Sequence, residues 1–169
     1  MVEVTRTFLE MRDRGQLKRK DIPPGSDARF VRCRPCSTAH YRELYKRVGE
    51  KWHWRDRNAL SDEKLAAILA NPDVHVWELR VGTELGGYFE LEKQAGPTVE
   101  IVYFGLTPEF IGKGFGGAML TKAVEEAWAL GADSVWLHTC TLDSEMALPN
   151  YESRGFVRTG KTEKYVVQL

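Results

Sequence analysis

The chain is poor in cysteine, with three in 169 residues. An odd and small number excludes the disulfide framework of a small secreted scaffold and agrees with a reducing compartment. Net charge is missing as well: 24 Lys and Arg stand against 24 Asp and Glu. No overall field draws the chain toward nucleic acid or an anionic membrane, so any anion site has to be built locally. No apolar run reaches the ~20 residues that span a bilayer. The opening MVEVTRTFLEMRDRGQ carries charges where a secretory signal needs an apolar core. The expectation is a cytoplasmic protein with neither membrane nor nucleic-acid partner. There is no internal repeat and no low-complexity segment. What remains, 43% hydrophobic and 28% charged residues, is an ordinary globular composition. Residues 1–169 read as one domain, with 1–27 an N-terminal extension or its first strand.

Local patterns divide the chain further. VEVTRTFLEM alternates as a strand does, although its charges also suit a helix. Asp21-Ile-Pro-Pro-Gly25 is a turn or linker, because paired prolines exclude a helix. ARFVRCRP reads as a strand with Val31 and Cys33 on one face and arginines on the other. Tyr41, Leu44, Tyr45 and Val48 recur at helical spacing behind a Ser37 or Thr38 cap. A shorter helix is capped by Ser61 and stopped by Asn71-Pro72. VHVWELRV, GGYFELE and TVEIVYFGL follow as strands joined by short turns at Gly82-Thr83 and Gly96-Pro97, which implies antiparallel neighbours. Leu120, Val124, Ala127 and Trp128 then mark a helix ending near Gly131. A strand SVWLHT, a short helix from Pro149 to Gly155 and two terminal strands, FVRT and KYVVQL, complete the chain.

The sequence GKGFGG, Gly112 to Gly117, leads directly into the longest helix. A helix N-terminus presents free N–H groups and a positive dipole end, and glycines clear the approach of side chains. Four glycines in six residues carry a backbone entropy cost that a plain turn does not require. The stretch therefore reads as a phosphate or pyrophosphate cradle, with Lys113 adding a charge at its rim. Gly112, Gly114 and Gly117 also satisfy the dinucleotide fingerprint G-x-G-x-x-G, and Asp143 follows where a ribose carboxylate is sought. In that fold, however, the glycines follow their strand closely and open a long parallel sheet. Here five residues intervene, and an antiparallel meander precedes them.

With their flanks, VEIVYFGLTPEFIGKGFGGAML and, some thirty residues on, ALPNYESRGF resemble the GNAT superfamily of acetyl-CoA-dependent N-acetyltransferases. The resemblance covers residues 74–160, and the preceding order of one strand, two helices and a meander is similar too. It implies an α/β (α+β) fold whose mixed, mainly antiparallel central sheet is flanked by helices and splayed at the acetyl-CoA site. Gly114 and Gly116 fill the family's glycine positions. Ile111 stands where the family usually carries Arg or Gln, which leaves the cradle to the backbone of Gly112, Lys113, Gly114, Phe115, Gly116 and Gly117. Ser144 stands where many members place an asparagine beside the pantetheine arm. Backbone groups near Phe104 and Leu106 would pair with that arm as an added strand. A homodimer is in keeping with the resemblance.

Acetyl transfer to an amine needs a free lone pair, a polarised carbonyl and a protonated leaving thiolate. Freeing an alkyl ammonium of pKa about 10.4 at neutral pH costs roughly 4.6 kcal/mol, so a base helps. By resemblance Glu100 is that base. It is read as sharing a strand face with Val102, Phe104 and Leu106, where an apolar wall raises its pKa. It lies ~13 Å along the strand from Phe104, so a water relays the proton. Glu90 is the substitute. Tyr151 matches the family tyrosine that protonates the departing thiolate. Trp52, Trp54 and Asp56 lie in the connection that overhangs the acceptor side in the family, where the tryptophans would hold a cation or a flat substrate and Asp56 pair its charge. Plugging the core is the other role open to these tryptophans.

Cys33 and Cys36 form C-x-x-C with His40 nearby, a beginning of a zinc site. No fourth ligand is spaced for it and Cys33 fits an alternating strand, so no metal is expected. His138 and Cys140 are read as packing residues. The resulting expectation is acetyl transfer from acetyl-CoA to a primary amine on a small molecule or a protein. Within the fold the alternative is an acyl-CoA sensor without turnover, and outside it a dinucleotide-binding oxidoreductase.

Overall fold

Alternation in the strands and caps at the helices divide the protein into seven strands and four helices, and the computed structural model describes all 169 residues, Met1–Leu169. In chain order they are β1 (Val2–Met11), β2 (Ala28–Arg32), α1 (Thr38–Gly49), α2 (Asp62–Ala70), β3 (Val74–Val81), β4 (Glu84–Gln94), β5 (Thr98–Leu106), α3 (Phe115–Ala129), β6 (Ser134–Cys140), α4 (Ala147–Ser153) and β7 (Val157–Val167). The strands form one sheet of order β2-β3-β4-β5-β6-β1-β7. Only the β5/β6 pair is parallel. This is the mixed, mainly antiparallel sheet flanked by helices that the short turns and family motifs imply. No helix is long and apolar enough to cross a membrane.

Each face of the sheet buries its own core. On one face α3 lays Met119, Leu120, Ala123, Val124 and Ala127 against Phe89, Leu91, Val99 and Ile101. On the other, Tyr41, Leu44, Tyr45 and Val48 of α1 meet Val76, Leu85 and Tyr88. Both helices on that second face start as their sequences suggest. Ser37 accepts the His40 amide and Ser61 the Lys64 amide, each satisfying one orphan N–H.

Of the two roles open to residues 1–27, the segment begins with a first strand: β1 inserts between β6 and β7, antiparallel to both, and buries Val4, Leu9 and Met11 completely. Three readings are corrected. The two expected terminal strands are one, β7. While β1 steps from Thr7 to Leu9, β7 steps from Thr162 to Arg158, and this exposed edge absorbs the extra residues as an irregularity near Gly160 instead of ending. Pro149 does not open α4, which starts at Ala147; a third helical residue still needs no N–H bond, so the proline fits there.

The third correction matters most for function. Glu90 pairs with Tyr103 and Leu91 with Ile101, so Val102 is an extra residue, a β-bulge. One inserted residue reverses the alternation beyond it. Glu100 therefore shares its face with Tyr103 and Gly105 beneath α1, and not with Phe104 and Leu106, which pack on the α3 core.

Candidate functional site

β5 and β6 are hydrogen-bonded for only three rungs, Thr98↔Ser134, Val99↔Val135 and Glu100↔Trp136. Past Glu100 the strands part, and the β6-facing edge of β5 has no strand partner. Two hollows open along this seam. One, of about 620 Å³, runs from the start of α3 past Phe104, Gly105, Leu106 and Ser144 to Tyr151. The other, of about 200 Å³, lies beneath the α1–α2 connection. Trp52, Trp54, Phe104, Asp143 and Tyr151 line both, so the hollows meet at these residues.

The first hollow ends at a bare helix terminus. Gly114 is the N-cap of α3, with φ of 88°, a conformation that strains any residue with a Cβ, and no side chain caps the helix. Gly112, Gly114, Gly116 and Gly117 line the hollow together with Ile111. Two cations missed by sequence reasoning stand there. A Cβ on Gly117 would lie 2.6 Å from Lys20 Cδ and 3.0 Å from Arg154 Nη1, and both residues line the hollow. Lys20 is brought in by the N-terminal segment, whose Lys20 amide donates to the Thr121 hydroxyl of α3 at 3.0 Å. A loop that reads as a linker carries no local signal for this docking. Lys113 and Phe115, in contrast, lie outside the hollow. Lys113 Nζ sits over the Phe110 ring at 5.5 Å, and Phe115 is buried against the same ring. Phe115 adds only its backbone amide to the helix start.

Trp54 packs on Tyr45 and Tyr103, with ring centroids 5.6 and 5.1 Å away. Gly105 permits this closure: a Cβ there would stand 2.6 Å from Val48 Cγ1 and 3.5 Å from Trp54 Cη2. Trp52 lies beside it, half-buried, with Lys51 Nζ over its ring. Trp54 thus completes the α1 core with one face and walls both hollows. Asp56 is exposed at the smaller hollow, whose polar lining also includes Arg6, Arg55, His138 and Tyr165. His138 and Cys140 line this wall and are not core residues.

Tyr151 is buried, and its ring meets Phe104 and Phe156 edge-on. Burial, reinforced by nearby Asp143, pushes its phenol up, so it stays a proton donor at neutral pH. Asp143 closes the corner where β6 ends, accepting from the Thr139 hydroxyl at 2.6 Å and the Cys140 amide at 2.9 Å.

Glu100 carries the perturbed carboxyl of the seam. Burial first, then the charges of Glu92 and Glu90, push it up from 4.5 to about 7, against the pull of Arg57 and Arg6. Glu92 is its cross-strand partner. Glu100 lines neither hollow and so does not touch the space beside Trp52 and Trp54 directly. Glu90 is withdrawn from the acceptor side altogether. It is fully buried, with Tyr41 donating to one oxygen at 2.5 Å and Arg57 to the other at 2.7 Å. A carboxylate so occupied ties α1 and the following loop to β4 and lines neither hollow.

The acetyltransferase (GNAT) family profile matches residues 38–156. Among solved structures, a GCN5-related N-acetyltransferase from Kribbella flavida superposes with TM-score 0.65 at 15% identity, over 95% of this chain and 56% of its own length. An aminoglycoside acetyltransferase from an uncultured soil metagenomic sample superposes with TM-score 0.63 at 16% identity, covering 85% and 94% of the two chains. A Bacillus subtilis acetyltransferase in complex with CoA superposes with TM-score 0.57 at 23% identity, covering 76% and 75%. The chain spans 61% of the length of a similarly folded Staphylococcus epidermidis protein, so it is shorter than several proteins that share its fold. A search of curated proteins found no match. With the profile covering most of the sheet, the seam and the glycine cradle, the chain belongs to the GNAT acetyltransferase family.

Proposed function

We propose that this protein transfers an acetyl group from acetyl-CoA directly to a primary amine, without an acyl-enzyme. The observation that carries the reading is the parted β5/β6 seam, with a bare glycine helix start at one end and an aromatic pocket at the other. The residues fit acetyl-CoA. Lys20, Arg154 and the free amides of α3 suit a pyrophosphate. The unpaired edge of β5 at Phe104–Leu106 suits the amide groups of a pantetheine arm, and Ser144 stands beside that path. Acetyl-CoA supplies the activated thioester carbonyl.

The chain's own groups do the rest. Glu100, half ionised near pH 7, accepts the proton of the incoming ammonium through water. Tyr151, kept protonated by burial, stands where the two hollows meet and donates a hydrogen bond to the sulfur as charge builds on it. Trp52 and Trp54 offer ring faces to the acceptor cation, and Asp56 offers a countercharge at the rim. Remote binding through the cradle holds the acyl donor, while the tryptophan loop selects the acceptor.

The test is acetyl-CoA-dependent thiol release across a panel of amines: aminoglycosides, polyamines, amino acids and lysine peptides, with acetylated products weighed by mass spectrometry. Release stimulated by an amine, with an N-acetyl product, supports the reading. Binding without release under every amine would reassign the protein to an acyl-CoA sensor.

A further inference from the structure

The structure assigns a second, separate site: we propose that Cys33, Cys36, His40 and Glu78 bind one zinc ion. Spacing alone supplies Cys33, Cys36 and His40. The fold adds the fourth donor from 38 residues beyond His40, because β3 lies beside β2 with Glu78 opposite Val31, two residues before Cys33.

The donors come from three elements. Cys33 follows β2, and its amide donates to Val76 of β3 at 2.9 Å. Cys36 precedes the Ser37 cap of α1, and His40 sits in that helix's first turn. Glu78 faces α1 from β3. The donor atoms of Cys33, His40 and Glu78 all lie within 4.8 Å of one another. The sulfurs of Cys33 and Cys36 are 2.7 Å apart, and His40 Nε2 is 2.9 Å from Glu78 Oε2. Two thiolates on one tetrahedral zinc, each at about 2.3 Å, stand about 3.8 Å apart. Cys33, His40 and Glu78 are already gathered, and ligation asks the half-buried Cys36, which lies outside that group, to turn its sulfur toward His40 and Glu78 as the two sulfurs part, with no change of fold.

Chemistry argues for a cation as well as geometry does. Two thiols and a carboxyl converge here, and Arg80, bound to the other oxygen of Glu78, is the one positive side chain paired with the group. Glu78 is 5% exposed; Arg80 meets one of its oxygens, and the other faces His40 and Cys33 and is the one left to a cation. On binding a divalent ion two thiol protons are released to solvent, two Zn–S bonds form, and no redox change is required. A donor set of two sulfurs, one imidazole and one carboxylate suits zinc and not magnesium or calcium. Arg80 then acts as the partner that orients the carboxylate ligand. The ion would staple the end of β2 and the middle of β3 to α1, whose Tyr41, Tyr45 and Val48 back the tryptophan wall of the smaller hollow.

The experiment titrates Co²⁺, then Zn²⁺, into reduced, metal-stripped full-length protein. Expected are a thiolate-to-cobalt charge-transfer band saturating at one equivalent, its loss as zinc displaces cobalt, and a higher melting temperature with zinc. Cys36→Ser, which leaves Cys33 as the one thiolate, should cut the band to half or less per bound cobalt. His40→Gln, at a partly exposed position that leaves both cores untouched, should weaken binding about tenfold or more. Circular dichroism verifies that both variants are folded, and Cys140→Ser should bind cobalt as the parent does. Absence of the band in the reduced parent overturns the proposal, as does a full-strength band in Cys36→Ser together with undiminished affinity in His40→Gln.

Discussion

Replacing Glu100 by Gln tests the proton path with two readouts of opposite sign. The substitution keeps shape and removes the charge. With its carboxyl pushed up to about 7, Glu100 is roughly one tenth ionised at pH ~6 and nine tenths at pH ~8, so a step needing the carboxylate should quicken about tenfold between them. In Glu100→Gln that step should vanish and the rate fall by about a hundredfold or more, leaving only the rise due to the amine's own ionisation. Stability should move the other way. A folded-state carboxyl above its ordinary 4.5 binds its proton more tightly in the folded chain. Folding is therefore penalised progressively as pH rises from about 4.5 to about 7, and fully above that. Glu100→Gln should melt higher than the parent at pH 8, with the gap closing in acid. Thiol-release kinetics and thermal melts over that range decide the matter. A variant with the parent's pH step, or one melting lower at pH 8, refutes the assignment of Glu100 as an elevated, working base.

Tyr151→Phe keeps the ring contacts with Phe104 and Phe156 and deletes the donor, so kcat should fall about a hundredfold with the KM for acetyl-CoA nearly unchanged; steady-state kinetics read both. Arg57→Ala strands the buried Glu90 carboxylate and should cost about 3–5 kcal/mol in urea unfolding. Gly105→Ala sets a methyl 2.6 Å from Val48. It should cost about 1–3 kcal/mol and change Trp54 fluorescence, because Trp54 rests on the same spot.

Much of the fold is legible because it is local. Ser37 and Ser61 announce their helices, and the tight turns between β3, β4 and β5 force antiparallel neighbours. The glycine cradle is legible for the same reason, since the run and the helix it opens are contiguous. Non-local facts leave no such trace. The alternation of β1 is equally good for an edge strand or one inserted between β6 and β7. The bulge at Val102 is hidden because Ile101, Val102 and Tyr103 are all apolar or aromatic, so an inserted residue breaks no visible pattern, yet it turns Glu100 to the other face. Glu90 reads as a free strand carboxylate until Arg57 and Tyr41 fold onto it. Lys20 and Arg154 reach the cradle from segments almost a chain length apart.

The most direct test of the account is calorimetric titration of acetyl-CoA, run beside NADH, into the parent and into Gly116→Glu. Gly116 lies in the first turn of α3 without a left-handed backbone, and a Cβ there meets Asn150 Nδ2 at 3.4 Å and Leu106 Cδ1 at 3.8 Å, ordinary contacts. A glutamate can therefore be carried while its charge occupies the cradle. The account predicts one acetyl-CoA bound by the parent, binding abolished in the variant, and no heat from NADH. Binding of NADH in place of acetyl-CoA, or acetyl-CoA binding untouched by Gly116→Glu, would contradict it.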